Sequence, residues 1–131
     1  NACAALQELK PNRLITVFGC GGDRDSSKRA LMGAAASKGS DFCITTSDNP
    51  RSEKPEAILA EIEKGMAGER YQRIEDRMEA IQTAVNLSQE GDIVLVAGKG
   101  HETYQEIAGN RIDFDDRRAA YKALNLKKTT V

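Results

Sequence analysis

Charge of one sign, long apolar runs and paired cysteines are all missing from this 131-residue chain. Its 19 basic residues stand against 20 acidic ones, a net charge of −1. Electrostatics therefore offer no case for nucleic acid or an anionic membrane as partner. No apolar run approaches the length of a membrane span. The cysteines, Cys3, Cys20 and Cys43, are odd in number, lack metal-type spacing and lie in or beside apolar stretches. Reduced, mostly buried thiols in a cytosol-like compartment are the simplest account. His101 is the sole histidine. No Ser-His-Asp set, Cys-His pair or metal cluster is legible around it. A lone histidine is ordinarily hydrogen-bonded structure.

What is present is ordinary globular material, 40% apolar and 30% charged. That suffices for one domain with a core of its own. The opening, Asn1-Ala2-Cys3-Ala4-Ala5-Leu6, is helix-like without an initiator Met, as expected of a piece of a longer protein.

Periodicity divides the chain into alternating elements. Residues 1–9 read as the end of a helix, closed at Lys10-Pro11-Asn12. Leu14–Phe18 is a β-branched strand broken by Gly19-Cys20-Gly21-Gly22. Asp25, Ser26 or Ser27 caps a helix running to Gly39. Residues 41–46 form a strand, Pro55–Met66 a helix, 71–74 a weak strand and 76–89 a helix. Ile93–Ala97 is the strongest strand. Tyr104–Ile107 and Arg111–Phe114 flank Ala108-Gly109-Asn110 as a hairpin. Asp115 or Asp116 caps a last helix, and Lys127–Val131 reads as a frayed tail. Apolar strands alternating with helices indicate an α/β fold: a mostly parallel sheet with helices on both faces. The hairpin is expected to add an antiparallel strand.

In such sheets ligands bind beyond the carboxyl ends of the strands. Gly19–Arg24, Ser47–Arg51 and Gly98–Glu102 each follow a strand, so all three should converge on one edge. Glycines in the first let backbone approach a ligand, and N–H groups at the helix start favour an anion. That segment matches neither a P-loop nor Gly-x-Gly-x-x-Gly. Arg24 either pairs with Asp23 or Asp25, or meets a ligand. In the second segment, Pro50 fixes its own φ and holds Asn49 extended, while Arg51 offers a planar fork of donors. In the third, Glu102 suits an ammonium group, Gly98 could expose a carbonyl to it, and Lys99 is either solvated or reaches a phosphate. Arg24 and Arg51 as carboxylate receivers, with Asp48, Asn49 and Glu102 as ammonium or amide receivers, suit a zwitterion such as a free amino acid.

Four motifs stand in order: Gly19-Cys20-Gly21-Gly22-Asp23-Arg24-Asp25, Lys28-Arg29, Asp48-Asn49-Pro50-Arg51, and Gly98-Lys99-Gly100-His101-Glu102 with Tyr104-Gln105. Together they resemble the C-terminal domain of the Mur ligases, and within that family the diaminopimelate-adding branch. The resemblance runs from about Leu14 to the last helix. It implies a single Rossmann-like domain over residues 1–131, the amino-acid-selecting part of an ATP- and Mg2+-dependent cytoplasmic ligase of peptidoglycan synthesis. That ligase would activate UDP-N-acetylmuramoyl-L-alanyl-D-glutamate as an acyl phosphate, which the amino group of meso-2,6-diaminopimelate attacks. On matching positions, Arg24, Asp48, Asn49, Pro50, Arg51, Gly98 and Glu102 would form the diaminopimelate site. Lys28, Arg29 and His101 are candidates for ATP, phosphate or closure contacts. The resemblance places no catalytic residue and no metal ligand in this chain. The phosphate loop, magnesium ligands and nucleotide-dipeptide site belong to N-terminal and central domains absent here, so the piece alone is not expected to ligate. Neither nucleic acid nor membrane is implied as a partner. A competing reading is a ligase-derived scaffold without catalysis, as plastid homologues suggest, in the stroma.

Overall fold

The computed structural model describes residues 2–129 apart from 67, 69 and 100, and for 128 and 129 the backbone alone. Gly100 of the third loop and the chain ends at 1 and 130–131 therefore lie outside the described residues.

Helix α1 (Ala2–Gln7) leads to β1 (Leu14–Phe18), every residue of which is buried. The side chains of a strand alternate in direction, and the core divides accordingly. Ile15 and Val17 join Ile44 of β2 (Phe42–Thr45) under Ala80, Ile81, Ala84 and Val85 of α4 (Arg77–Leu87) and Ala119 and Ala123 of α5 (Asp116–Thr129). Phe18 and Cys43 face the other way, against Ile58, Leu59 and Ile62 of α3 (Pro55–Glu63). Ala36 of α2 (Arg29–Gly39) packs on that second cluster. Each buried aliphatic side chain contributes roughly 1.5–3 kcal/mol, so the two layers hold the sheet from both faces.

The sheet is parallel throughout, in the order β3 (Tyr71–Arg73), β2, β1, β4 (Ile93–Val96). The chain runs outward from β1 through β2 to β3 and then returns to the other side of β1. That reversal opens a crevice beyond the carboxyl ends of β1 and β4, the usual binding position in open α/β sheets.

Local signals match the elements closely. Asp25 accepts the Ser27 N–H at 3.0 Å and caps a single 3-10 turn, Ser26–Lys28, which runs into α2. Asp76 caps α4 through the Glu79 N–H at 2.9 Å. Asp115 caps α5 through the Arg117 N–H at 2.9 Å. The tail expected to fray from Lys127 instead continues α5 to Thr129. There the Lys127 ammonium donates to the Val85 carbonyl at 2.7 Å and to Ser88, closing the carboxyl end of α4 as a cation should.

The hairpin strands are β5 (Tyr104–Ile107) and β6 (Asn110–Asp113). They form the expected antiparallel pair as a sheet of their own, and among the described residues their one ladder-type pairing with the main body is a parallel bridge between Arg51 and Ile107. Asn110 belongs to β6, so the turn is only Ala108-Gly109, with φ of 50° and 82°. Positive φ at both central residues is the type I′ geometry that matches strand twist. β4, the most apolar run, lies at the sheet's edge and is only half-buried. No helix among the described residues is long and apolar enough to cross a membrane.

Candidate functional site

The three loops do converge. They enclose a cleft of about 450 Å3 lined by Gly19, Cys20, Gly21, Arg24, Asp25, Lys28, Arg29, Met32, Asp48, Asn49, Arg51, Gly98 and Glu102. Arg24, Lys28 and Arg51 supply cations to it, and Asp25, Asp48 and Glu102 supply anions.

Gly22 of the glycine segment packs against the neighbouring loop, while Gly19 and Gly21 line the cleft. A Cβ on Gly22 would stand 1.9 Å from the Pro50 carbonyl oxygen. The Gly22 N–H donates to the Asn49 carbonyl at 2.7 Å. The start of the following helical turn is occupied by the Asp25 carboxylate, so the anion expected there is the protein's own. Arg24 does not pair with its acidic neighbours. Asp23 accepts the Ser52 hydroxyl at 2.5 Å, and Asp25 is engaged with Ser27. Arg24 is exposed on the cleft and has no hydrogen bond or ion pair among the described residues.

Arg29, a candidate for ATP, phosphate or closure contacts, is engaged within the domain. Its guanidinium is buried and donates to Glu53 at 3.1 and 2.7 Å, to Glu61 at 2.9 Å and to the Gly21 carbonyl at 3.1 Å. Two carboxylates therefore neutralise it, and it ties α2 to α3 beneath the cleft. Lys28 is exposed at the cleft. His101 is exposed and is not part of the cleft lining. Cys20 lies buried in the lining, and burial pushes its thiol up to about 11 despite nearby Arg29.

The 48–51 loop is more tightly held than a turn requires. Asn49 is 2% exposed. Its Oδ1 accepts the Lys99 ammonium at 2.9 Å and the Glu106 N–H at 3.0 Å, and its Nδ2 donates to Glu102 Oε1 at 3.1 Å. The side chain is thus chiefly a bracket between loops, with one amide hydrogen left over. Pro50 is buried behind the lining. Arg51 has φ 53°, a left-handed conformation that costs a non-glycine residue about 1–2 kcal/mol. Its Nε donates to Glu106 Oε2 at 3.1 Å and its Nη1 to the Gly22 carbonyl at 2.9 Å. Its Nη2 has no partner among the described residues.

Lys99 is neither solvated nor turned toward a phosphate. It is 3% exposed, with its ammonium 3.3 Å from Asp48 Oδ1 and 3.5 Å from Glu102 Oε1. Gly98, at φ 116°, lets the chain turn close to Asp48, where a Cβ would stand 3.2 Å from Oδ2. The Glu102 side chain keeps 37% of its exposure and an oxygen, Oε2, with no partner among the described residues.

One buried residue beneath the loops escaped sequence reading. Arg77, at the first turn of α4, makes a two-pronged pair with Asp116, both at 2.7 Å. It also donates to the Ser47 carbonyl at 3.0 Å and the Ala97 carbonyl at 3.2 Å. These carbonyls immediately precede Asp48 and Gly98, so one guanidinium joins two loops of the cleft. Gln105 adds a second tie, from its Nε2 to the Asp48 carbonyl at 2.8 Å.

A family model described as "Mur ligase, glutamate ligase domain" matches residues 1–100. The chain belongs to the Mur ligase family. Its relatives within that family include the UDP-N-acetylmuramoyl-L-alanyl-D-glutamate–2,6-diaminopimelate ligase of Syntrophomonas wolfei, 55% identical over 97% of this chain and 27% of that protein. The ligase of the same name from Prochlorococcus marinus is 55% identical over 97% of this chain and 25% of its own length. A solved structure of a 2,6-diaminopimelate ligase superposes with a TM-score of 0.89 at 48% identity, over 96% of this chain and 27% of that one. The chain thus spans about a quarter of these Mur ligases, and the α/β architecture is the one they share.

Proposed function

We propose that this domain selects and delivers the amino acid in an ATP-dependent Mur ligase that joins meso-2,6-diaminopimelate to UDP-N-acetylmuramoyl-L-alanyl-D-glutamate in cytoplasmic peptidoglycan synthesis. The observation that carries this reading is the cleft, in which Arg24 and Arg51 stand with Asp48 and Glu102. Its donors suit carboxylates and its acceptors suit ammonium groups. The names of the matched relatives point to the same substrate.

Diaminopimelate has an amino acid at each end. One amino group must be presented, uncharged, to the acyl carbon. The other end is gripped. Arg51, with Nη2 unspent, receives the far carboxylate, Arg24 closes on a carboxylate from the rim, and Glu102 with the Gly98 carbonyl receives an ammonium. Asp48 adds negative charge beside them. Asn49 holds Glu102 in place and Pro50 holds the loop. Lysine has no far carboxylate, so it would leave Arg51 Nη2, the donor group not spent on Glu106 or the Gly22 carbonyl, without its partner, and that difference discriminates. The attacking nitrogen forms a bond to the acyl carbon and loses a proton, and phosphate leaves from the tetrahedral intermediate.

ATP and Mg2+ are assigned to the rest of the ligase. The described residues offer no cluster of three or more His, Cys, Asp or Glu side chains fit for a metal. The loops carry no Gly-Lys-Ser/Thr sequence either. Lys28, exposed at the cleft, would meet the partner domain or its phosphates when they close over it, with the exposed His101 a second candidate.

The test is calorimetric titration of the full-length ligase with diaminopimelate and with lysine, alongside the nucleotide dipeptide and a non-hydrolysable ATP analogue. Diaminopimelate should bind more tightly by at least about 100-fold. Arg51→Ala should abolish most of that difference. Equal affinities in the parent protein would overturn the reading.

A further inference from the structure

Arg51 cannot hold its own position. Its backbone sits at φ 53°, where an L-residue is strained, and its side chain has several rotatable bonds. What holds it is the hairpin. The Arg51 N–H donates to the Glu106 carbonyl, and the Ala108 N–H donates to the Arg51 carbonyl, both at 2.8 Å. The Glu106 carboxylate receives Arg51 Nε at 3.1 Å. The Glu106 N–H donates to Asn49 Oδ1 at 3.0 Å, which helps turn the Asn49 amide so that Nδ2 meets Glu102. Glu106 therefore touches both Asn49 and Arg51 of the 48–51 loop.

Glu106 is itself anchored. Its second oxygen accepts Arg111 Nε at 3.0 Å, and the Arg111 guanidinium lies 4.2 Å from the centre of the Tyr104 ring. The carboxylate is thus fixed between two guanidiniums. With Nε on Glu106 and Nη1 on the Gly22 carbonyl, the Arg51 fork has one orientation and one unspent donor group.

We propose that Glu106 is a positioning residue for amino-acid selection, orienting the Arg51 guanidinium toward the far carboxylate of diaminopimelate. This rests on the reading of the cleft given above. The side chains of Arg51 and Glu106 are 22% and 26% exposed, and a pair so placed adds little to stability. Its effect belongs in selectivity. Glu106→Gln keeps the backbone contacts and the side-chain shape but removes the charge that fixes Nε.

The experiment uses the full-length ligase as parent, Glu106→Gln, Arg51→Ala and the double variant, assayed with diaminopimelate and with lysine. Glu106→Gln should raise the KM for diaminopimelate about 10-fold, as expected for loss of one charge-assisted hydrogen bond. The KM values for lysine and ATP and the melting temperature should stay close to the parent's. In the Arg51→Ala background the same change should have no further effect on preference. An unchanged preference in Glu106→Gln, with preference lost in Arg51→Ala, would overturn the proposal and leave the site reading standing. Equal rises in all KM values would overturn it in favour of a structural role. Preference retained in Arg51→Ala would overturn the site reading and this proposal with it.

Discussion

Arg77 shows how one buried charge can organise a site it does not touch. Its guanidinium has a carboxylate and two carbonyls as partners. Removing it would strand Asp116, which is 8% exposed. Arg77→Met is expected to cost roughly 3–5 kcal/mol in urea unfolding, and Arg77→Met with Asp116→Leu should recover part of that loss. The cysteines make a second prediction. All three are free and buried, and burial pushes the Cys20 and Cys43 thiols up to about 11. At about pH 8 a thiol reagent should label them only after unfolding. Because their folded pKa exceeds the unfolded one, their stabilising contribution is complete below the ordinary thiol value of 9.0 and is lost as pH rises toward about 11. The denaturant midpoint should fall across that window, and less so in Cys20→Ala.

The hairpin and the glycine loop act as elements. The hairpin turn uses an alanine at φ 50° where asparagine is the preferred residue. Ala108→Asn should stabilise the domain by about 1 kcal/mol, read as a higher melting temperature. Loss of stability would mean that the Ala108 side chain has contacts worth more than the turn geometry. The glycine loop gives the opposite expectation. With the Pro50 carbonyl 1.9 Å from where its Cβ would be, Gly22→Ala must push the two loops apart. In the full-length ligase it should raise the KM for diaminopimelate before it lowers the melting temperature. The sequence predicts the hairpin and its antiparallel strand, and the structure sets that pair apart from the main sheet. Its geometry as a separate clamp on Arg51 depends on where β5 lands, which strand propensity does not encode.

The molecule as a whole is held by ion pairs at its periphery as well as by its core. Arg29 holds the Glu53 carboxyl below its ordinary range, helped by the Asp23 N–H, and Arg13 does the same for Asp92. A carboxyl that titrates lower folded than unfolded stabilises above the ordinary carboxylate range and loses that contribution as pH falls through it. The denaturant midpoint should be flat near neutrality and decline below about pH 4.5. Glu53→Gln should flatten the decline. An unaltered slope would show that Glu53 is not one of its sources.

Order, type and approximate extent of nearly every element were legible from local chemistry. β1 matched residue for residue because five consecutive strand formers, four of them apolar, between turn signals leave little choice. The caps at Asp25 and Asp115 were each among the alternatives that short polar side chains before helical periodicity offered, while Asp76 as the cap of α4 emerged only in the structure. Convergence of the three loops also followed, since parallel strands place the segments after them on one edge. Partner choice inside the site was not legible. From sequence Lys99 is a solvated or phosphate-reaching cation and Arg29 a candidate for ATP, phosphate or closure contacts, because side-chain type carries no record of which carboxylates long-range packing brings near. Arg77 gave no local signal, being one arginine at a helix start. Ion pairs between residues 39 and 55 positions apart, Arg77 with Asp116 and Arg51 with Glu106, exist only once the sheet is closed. The residue types at the strand ends thus followed from local sequence, but which of them face a ligand and which hold their neighbours was settled by the folded packing, because charge pairing in a low-dielectric interior depends on distance in space.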